Sequence, residues 1–392
     1  MKIVHICLAN SVWDESYAYQ DNLLPAYHRR MGHDVTIFAP TAARFDNRGG
    51  YIVKSPGVTI LSEGIKLIRV KPLISNYNIN NHIHLFRNIY KDIELESPDL
   101  IFVHDPSIIN NLCLVKYKRK HPNVKIVFDN HSDLINSDRN ILSKFRDYVF
   151  ARYFIVRKMV KISDIFYGTT PARCDYLSEV FNVPKHKIRL LVMGADDEEM
   201  RKDERENIRT QIREKYDVKE SDFLLVTGGK IDRDKNVHLL VEAISAIEDK
   251  NLRLMIFGNI SPEVECVIDR YGDGRIIKVG WIPSNRVYDF MYAADLVVFP
   301  GLHSVMWEQA VAARVPCLFS KLKGFEHIDI GGNALFFENR SADCYRNVIL
   351  KVLKDQELYA RLKRCASTEL ADSFLYSRIA KQVIDEAFIN EL

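Results

Sequence analysis

Short apolar runs with no polar face return again and again along this chain, and they leave few folds open. DLIFVH (99–104) and DLVVFP (295–300) place apolar side chains at successive rather than alternate positions. Strands read this way when helices cover both faces of a parallel sheet. Between KIVHICL, DVTIFA, DLIFVH, VKIVFD and DIFYGT lie helical patterns such as AYQDNLLPAYHRRMG, HLFRNIYKDIE and SIINNLCLVKYKRK, with a long helix near 140–162. This βα rhythm stops at IRLLVMGADDEEMRKDERENIR (188–209), then restarts with FLLVTGG, LRLMIFG, RIIKVG, DLVVFP and PCLFS and their intervening helices. The pattern predicts an α/β protein of two Rossmann-like, doubly wound parallel-sheet domains, 1–196 and 197–372, with a last helix in 373–392 returning to the first domain.

Composition fits that plan. A chain of 392 residues that is 47% hydrophobic and 27% charged can bury two cores. No run of 18 uncharged apolar residues is long enough to span a membrane, and MKIVHICLANSVWDES turns polar too early for a secretory signal. A cytoplasmic address is the expectation. Seven cysteines, odd in number and without a CxxC, read as reduced thiols.

The net charge of +3 hides an asymmetry: the chain is +8 through Asp196 and −5 after it. Much of the basic excess lies in VKYKRKHPNVK (115–125) and SKFRDYVFARYFIVRKMVK (143–161). The second stretch reads either as a buried helix with a solvated basic face or as a helix resting on anionic lipid. The near-neutral total and the lack of a recognition motif argue against a nucleic-acid partner.

Ligands of such sheets sit beyond the carboxyl ends of strands. After FLLVT the chain reads GGKIDRDKNVHLLVEA (228–243), in which Gly228 and Gly229 would let backbone approach a ligand and Lys230 and Lys235 could neutralise phosphate. A charged surface turn is the alternative. It is no Walker A loop, since Leu224 stands where its first glycine belongs and Ile231 follows the lysine. DLVVFPGLHSVMWEQAVAARVP (295–316) repeats the arrangement: a strand, a turn with Gly301, and a helix beginning near Ser304 that carries Glu308. A helix N-terminus there could seat a diphosphate, and Glu308 could accept from ribose hydroxyls or be an ordinary exposed carboxylate.

These residues resemble glycosyltransferase family 4, retaining enzymes of the GT-B fold whose two domains face each other across a cleft. DIFYGTTPARCDYLSEVFNVPKHKIRLLVMGAD (164–196) is similar to the family's close of the first domain, with Gly194 and Asp196 at its glycine and aspartate. Gly229, Lys230 and Lys235 fall on its Gly-Arg-x4-Lys pattern, lysine replacing arginine at 230. Glu308 falls on its second glutamate. The resemblance implies that Lys230, Lys235 and the helix over 305–314 stabilise a departing nucleoside diphosphate, that Glu308 holds ribose, and that His131, just past VKIVFD, faces the donor sugar. Asp129 and Asp133 flank His131, and either could orient its ring.

Two departures stand out. Position 300, eight before Glu308, is Pro300 rather than the family's first glutamate, leaving His303, Ser304 and the backbone from Gly301 to Val305 as substitutes in donor binding. The usual glycine pair after the first strand is missing, and Tyr17, Tyr19 and Gln20 are candidates for the acceptor side. The Asp-x-Asp at 232–234 matches a metal motif of another transferase fold, but it sits among lysines, and the resemblance implies that no metal or other cofactor is needed. The expected activity is transfer from a UDP- or GDP-sugar to a glycan or lipid-linked acceptor, at or near an anionic inner membrane face. Another GT-B enzyme, such as an epimerase or phosphorylase, and a non-catalytic nucleotide-sugar-binding subunit remain open.

Overall fold

The computed structural model describes residues 1–9, 13–14, 17–44, 51–74, 76, 84–135, 146–271 and 273–389. The chain divides into two units, Met1–Val192 with Ile379–Leu392, and Met193–Arg378. The first contains β1 (Lys2–Ile6), β2 (Asp34–Pro40), β3 (Ala42–Arg44), β4 (Tyr51–Val53), β5 (Gly57–Ile60), β6 (Lys66–Val70), β7 (Leu100–His104), β8 (Lys125–Asn130), β9 (Ile165–Gly168) and β10 (Ile188–Leu190). Eight of them form a sheet ordered β10-β9-β8-β7-β1-β2-β6-β5, while β3 and β4 pair as a separate ribbon. All five residues of β7 are buried, as its doubly apolar sequence requires.

The rhythm did not reveal β3, β4, β5, β6 or the later strand Ala334–Phe337. β5 runs antiparallel to β6 at the sheet edge, and all four of its residues are exposed. An edge strand in water needs no apolar face, so it leaves no apolar pattern to read.

The second unit holds β11 (Phe223–Ile231), β12 (Leu252–Ile260), β13 (Ile276–Gly280), β14 (Leu296–Phe299), β15 (Cys317–Ser320) and β16 (Ala334–Phe337) in one sheet ordered β13-β12-β11-β14-β15-β16. Its strand pairs are all parallel. Both units are thus doubly wound α/β sheets, the two-domain GT-B architecture. The segments by which the chain enters and leaves the second unit run side by side: Ala195 N–H donates to Phe374 O at 2.8 Å, and Tyr376 N–H to Ala195 O at 3.0 Å. The closing helix, Tyr376–Phe388, starts there and belongs to the first unit from Ile379 onward.

Strand order reverses between β1 and β7 in the first sheet and between β11 and β14 in the second. Crevices open beyond the strand ends at such switch points. Cys7 and Asp105 follow the first pair, with Asp129 and Asn130 ending the next strand; Lys230 and Pro300 mark the second pair.

Of the basic aromatic stretch, residues 143–145 lie outside the described residues. From Arg146 it is helical, π-helical to Val156 and then α-helical over Arg157–Ile162. Ala151, Ile155, Val156 and Met159 are buried, while Phe150, Tyr153 and Phe154 are about half exposed, at 43%, 53% and 57%. The outward face is therefore aromatic as well as basic.

In the second unit Arg213, 3% exposed, ties the helix Arg205–Lys215 to the sheet. It donates to Asp295 Oδ2 (3.2 Å) and to the carbonyls of Ala293 (3.1 Å), Lys219 (2.7 Å) and Asp222 (2.7 Å). Arg213→Leu removes four hydrogen bonds from the interior, though Arg209, Leu224 N–H and Asp222 N–H still reach Asp295, Ala293 O and Lys219 O, so it is expected to lower unfolding free energy by about 2 kcal/mol, read as a shift in the urea midpoint. A shift within 0.5 kcal/mol or so, typical of a surface change, contradicts it.

Candidate functional site

At the switch point of the second sheet, side chains are absent where backbone must pass. The glycine-lysine stretch is not the turn that the sequence suggested: β11 continues through Gly228, Gly229 and Lys230 to Ile231, in register with Phe257–Ile260 of β12. The extension depends on glycine. A Cβ at Gly228 would lie 2.3 Å from the Phe257 ring, and one at Gly258 (φ +104°) would lie 2.0 Å from Gly229 O. Gly229 itself has φ +110° and abuts Met306, whose Sδ would be 3.0 Å from a Cβ there. The turn proper begins at Asp232 and closes at Asn236, a left-handed residue (φ 52°) that opens the helix Val237–Ser245.

The two lysines part company. Lys230 is exposed, and its ammonium makes no hydrogen bond or ion pair among the described residues. Lys235 is largely enclosed, its ammonium donating to Leu302 O (2.7 Å) and His303 O (3.3 Å). Burial lowers its pKa, against the pull of Asp232 and Asp234. It therefore holds the neighbouring turn in place.

That turn, between β14 and the helix Met306–Ala312, is built on Gly301, where a Cβ would sit 2.3 Å from Lys235 Cα. Pro300 O accepts from Ser320 Oγ (2.5 Å), Tyr345 Oη (2.8 Å) and Asn236 Nδ2 (3.1 Å), and Leu302 N–H donates to Asp234 O (3.0 Å). Ser304 and Val305 are half-buried. The helix is shorter than the expected 305–314, because Arg314 takes φ 55° and ends it.

Glu308 is fully buried, contrary to an ordinary helix carboxylate. His303 Nε2 donates to Oε1 (2.8 Å) and Oε2 (3.1 Å), and His327 Nε2 donates to Oε1 (2.9 Å). Burial alone would raise its pKa, but the two imidazoles outweigh it and bring the carboxyl down to about 2. The carboxylate is thus already engaged on both oxygens. Sequence reasoning missed His327, Ser320, Tyr345 and Asn236. Asn236 alone had a signal, as a polar residue capable of φ > 0 just before a helix.

In the first unit, Tyr17 and Tyr19 meet edge to face at 5.6 Å, and Tyr19 is 60% exposed. Gln20 does not join them. It is buried at the start of the helix Gln20–Arg30, with Nε2 3.4 Å from Asp129 Oδ2. His131, partly exposed, donates from Nε2 to the same oxygen at 3.2 Å. Asp133 turns instead to Arg173 Nε (3.4 Å), so of the two flanking acids Asp129 is the one that holds the ring.

Behind Asp129 lies a group the sequence reading overlooked. His104 Nδ1 is 3.0 Å from Asp129 Oδ2, His104 Nε2 is 3.3 Å from His5 Nδ1, His5 Nε2 is 3.0 Å from His28 Nδ1, and His28 Nε2 is 3.2 Å from Ala380 O. His5, His28 and Asp129 are wholly buried. Burial lowers the pKa of His5 well below the usual imidazole range and that of His28 to about 3. Burial also opposes charge on His104 and Asp129, yet the His104 value rises, through Cys7 first and then Asp129, and that of Asp129 falls, through His104 and then His131.

Two clusters bring enough nitrogen and oxygen together to suggest a cation, namely His104, Asp129 and His131, and His303, Glu308 and His327. In both, imidazole N–H groups already bond the carboxylate directly, at 2.8–3.2 Å.

Comparison with known proteins agrees with the architecture. Residues 21–199 match the family described as Glycosyltransferase Family 4, and residues 208–368 match Glycosyl transferases group 1. Mannosylfructose-phosphate synthase of Agrobacterium fabrum is 23% identical over 56% of this chain and 52% of its own length. The putative teichuronic acid biosynthesis glycosyltransferase TuaC of Bacillus subtilis is 26% identical over 38% of each. The chain spans about half the length, or less, of these curated relatives. Among solved structures, HepE of Anabaena in complex with UDP has a TM-score of 0.71 at 14% identity, each chain covered in full. Sucrose-phosphate synthase of Thermosynechococcus elongatus has 0.67 at 16%, with 98% of this chain and 97% of that one covered.

The buried neutral rings give stability a pH dependence. Below an unfolded histidine pKa of about 6.5, the unfolded chain binds protons that His5 and His28 refuse in the fold. Stability is therefore present above that pH and lost as pH falls toward 3. The urea midpoint is expected to drop between pH 6 and pH 5, before the carboxylates titrate; a flat midpoint over that interval contradicts it.

Proposed function

Because the chain belongs to the family 4 type of GT-B glycosyltransferases, we propose that it moves a sugar from a UDP- or GDP-sugar to a glycan or lipid-linked acceptor, with retention at the anomeric carbon. The observation that carries this reading is the exposed ammonium of Lys230, without a partner among the described residues, at a switch point where β11 passes through the partly exposed Gly228 and Gly229. A diphosphate needs cationic neutralisation, and an exposed lysine at a switch point offers it. That the Anabaena neighbour is a complex with UDP supports a nucleotide at such a fold.

As the bond between the anomeric carbon and the diphosphate oxygen breaks, negative charge grows on the leaving phosphate. Lys230 meets that charge directly, while Lys235 adds its own and keeps the Gly301–Val305 turn seated. With a following helix of only seven residues, Met306–Ala312, more of the task falls on the lysines than on a helix dipole. Gly229, Gly301, His303, Ser304 and Val305 shape the donor seat in this reading. Glu308 reaches ribose only when its bonds to His303 open. His131 meets a substrate hydroxyl, and Tyr17 and Tyr19 serve the acceptor. Lysines in the place of a divalent ion make the transfer metal-independent.

The aromatic and basic face of Phe150, Tyr153, Phe154, Arg157 and Lys158 suits an anionic membrane surface. No helix among the described residues is long and apolar enough to cross one.

A thermal-shift panel of nucleotide sugars is expected to raise the melting temperature with one donor class, since a ligand bound to the fold stabilises it. With that donor and a matching acceptor, Lys230→Ala is expected to slow turnover by about 10²-fold, and EDTA to leave the rate unchanged. A normal rate in the variant removes Lys230 from the mechanism. Complete loss in EDTA, restored by Mg²⁺, returns the Asp-x-Asp at 232–234 to consideration. An isomerised donor without acceptor identifies an epimerase, and nucleotide binding that never releases a sugar identifies a binding subunit. Phosphatidylglycerol vesicles are expected to sediment the protein, and the Phe150→Ser, Phe154→Ser double variant to stay in solution. Equal sedimentation of both rules out this face as the contact.

A further inference from the structure

Glu308 sits in the helix Met306–Ala312, and neither of its carboxylate oxygens is open. Oε1 accepts from His303 Nε2 (2.8 Å) and His327 Nε2 (2.9 Å), and Oε2 accepts from His303 Nε2 (3.1 Å). A single N–H of His303 is thus spread over both oxygens. The side chains of His303 and His327 are themselves almost wholly buried, so the imidazoles close the carboxylate off.

The two rings are anchored differently. His327 comes from a separate short turn, Glu326–Ile328. His303 belongs to the turn between β14 and the helix; its ring lies edge-on to Trp307 (5.3 Å between centroids) and beside Phe325 (4.6 Å). A movement of the β14 turn therefore carries His303 away from Glu308 while His327 keeps its hold on Oε1.

We propose that His303 is a positioning residue that gates Glu308: its imidazole stands where the ribose of the donor must bond, it is displaced when the nucleotide enters, and the exchange selects nucleotides that carry a vicinal diol. The gate rests on the transferase reading, in which Glu308 holds ribose.

Bond counting gives the selectivity. A wholly buried carboxylate stripped of donors is costly, so the gate opens by exchange and not by prior release. The 2′- and 3′-hydroxyls of a ribonucleotide bring two O–H donors for the one N–H that leaves, one for each oxygen, with His327 still on Oε1. Three donors then serve a group that accepts about four. A 2′-deoxynucleotide brings one donor for one, and an oxygen that shared the His303 proton is left bare. The diol gains by the exchange, whereas its deoxy analogue at best breaks even.

The gate also has a cost. Apparent affinity falls by the fraction of molecules in which the site is open, so a gate closed nine times in ten costs about tenfold. Truncating His303 removes that cost. If the ring only supported the turn, truncation would instead weaken every nucleotide alike.

The test titrates the full chain with UDP, GDP and their 2′-deoxy forms by calorimetry. His303→Ala is expected to bind the preferred ribonucleotide about tenfold more tightly than the unaltered chain, and its deoxy form with little change. In a Glu308→Gln background the same truncation is expected to gain nothing. Unchanged or weaker ribonucleotide binding in the folded His303→Ala variant overturns the gate, as does an equal gain in the Glu308→Gln background. A second measurement needs no variant. In the unaltered chain labelled with ¹⁵N-histidine, the His303 ring, identified by its contacts to Trp307 and Phe325, is expected to shift its Nε2 resonance when the nucleotide binds. A bound nucleotide with the His303 resonance unmoved overturns the gate and leaves the transferase reading standing. If neither UDP nor GDP binds the chain or the variant, the transferase reading falls and the gate falls with it.

Discussion

The second unit depends on one contact between main chains. At Gly301 the turn after β14 lies directly on the backbone of Asp234 and Lys235, where a Cβ would be 2.3 Å from Lys235 Cα. That proximity lets Leu302 N–H reach Asp234 O and lets the Lys235 ammonium reach two carbonyls of the turn. The turn after β11 and the turn after β14 therefore form one body. A side chain at 301 would have to push them apart, because the atoms it meets are backbone and cannot rotate away. Substitutions in either turn should then be felt in the other.

The same chemistry recurs in both sheets. Asp129 and Glu308 are each wholly buried, and each accepts hydrogen bonds from two imidazoles. A buried carboxylate without partners would take up a proton, so these groups remain ionised only because the histidines outweigh burial. The difference lies behind them. Asp129 continues through His104 into a chain of rings, whereas Glu308 stands between His303 and His327. The second arrangement fixes its turn against the turn at Glu326–Ile328.

Much of this was legible in the sequence, for a definite reason. Doubly apolar runs name the strands of a covered parallel sheet, and the two-fold restart names two such sheets. The edge strand β5 left no trace because its side chains face water. Gly228, Gly229 and Gly301 could be read as places of close approach, but not what approaches: Phe257, Met306 and Lys235 come from other elements. The histidine chain was hidden for a related reason. His5 lies inside an apolar run, His28 within a helix and His104 at a strand end, and only the sheet order sets β1 beside β7. His327 sits nineteen residues beyond Glu308, a spacing with no helical or strand meaning.

Pro300 shows how a departure from the family pattern can be understood. A glutamate there would carry a side chain toward the ligand; proline carries none that can bond, and it lacks an N–H as well. Its carbonyl is also spent, since Ser320, Tyr345 and Asn236 present three donors to an oxygen with two lone pairs. Position 300 is therefore a structural anchor for the turn. Leu302 N–H is consumed by Asp234, and the Glu308 carboxylate by two imidazoles. The backbone N–H groups of Ser304 and Val305, which enter no backbone hydrogen bond among the described residues, are what the turn still has to offer an oxygen-rich ligand. In the transferase reading proposed above, a turn that offers backbone N–H groups rather than a carboxylate favours the acidic part of the donor over its sugar hydroxyls, because N–H groups bond anions more strongly than neutral oxygens.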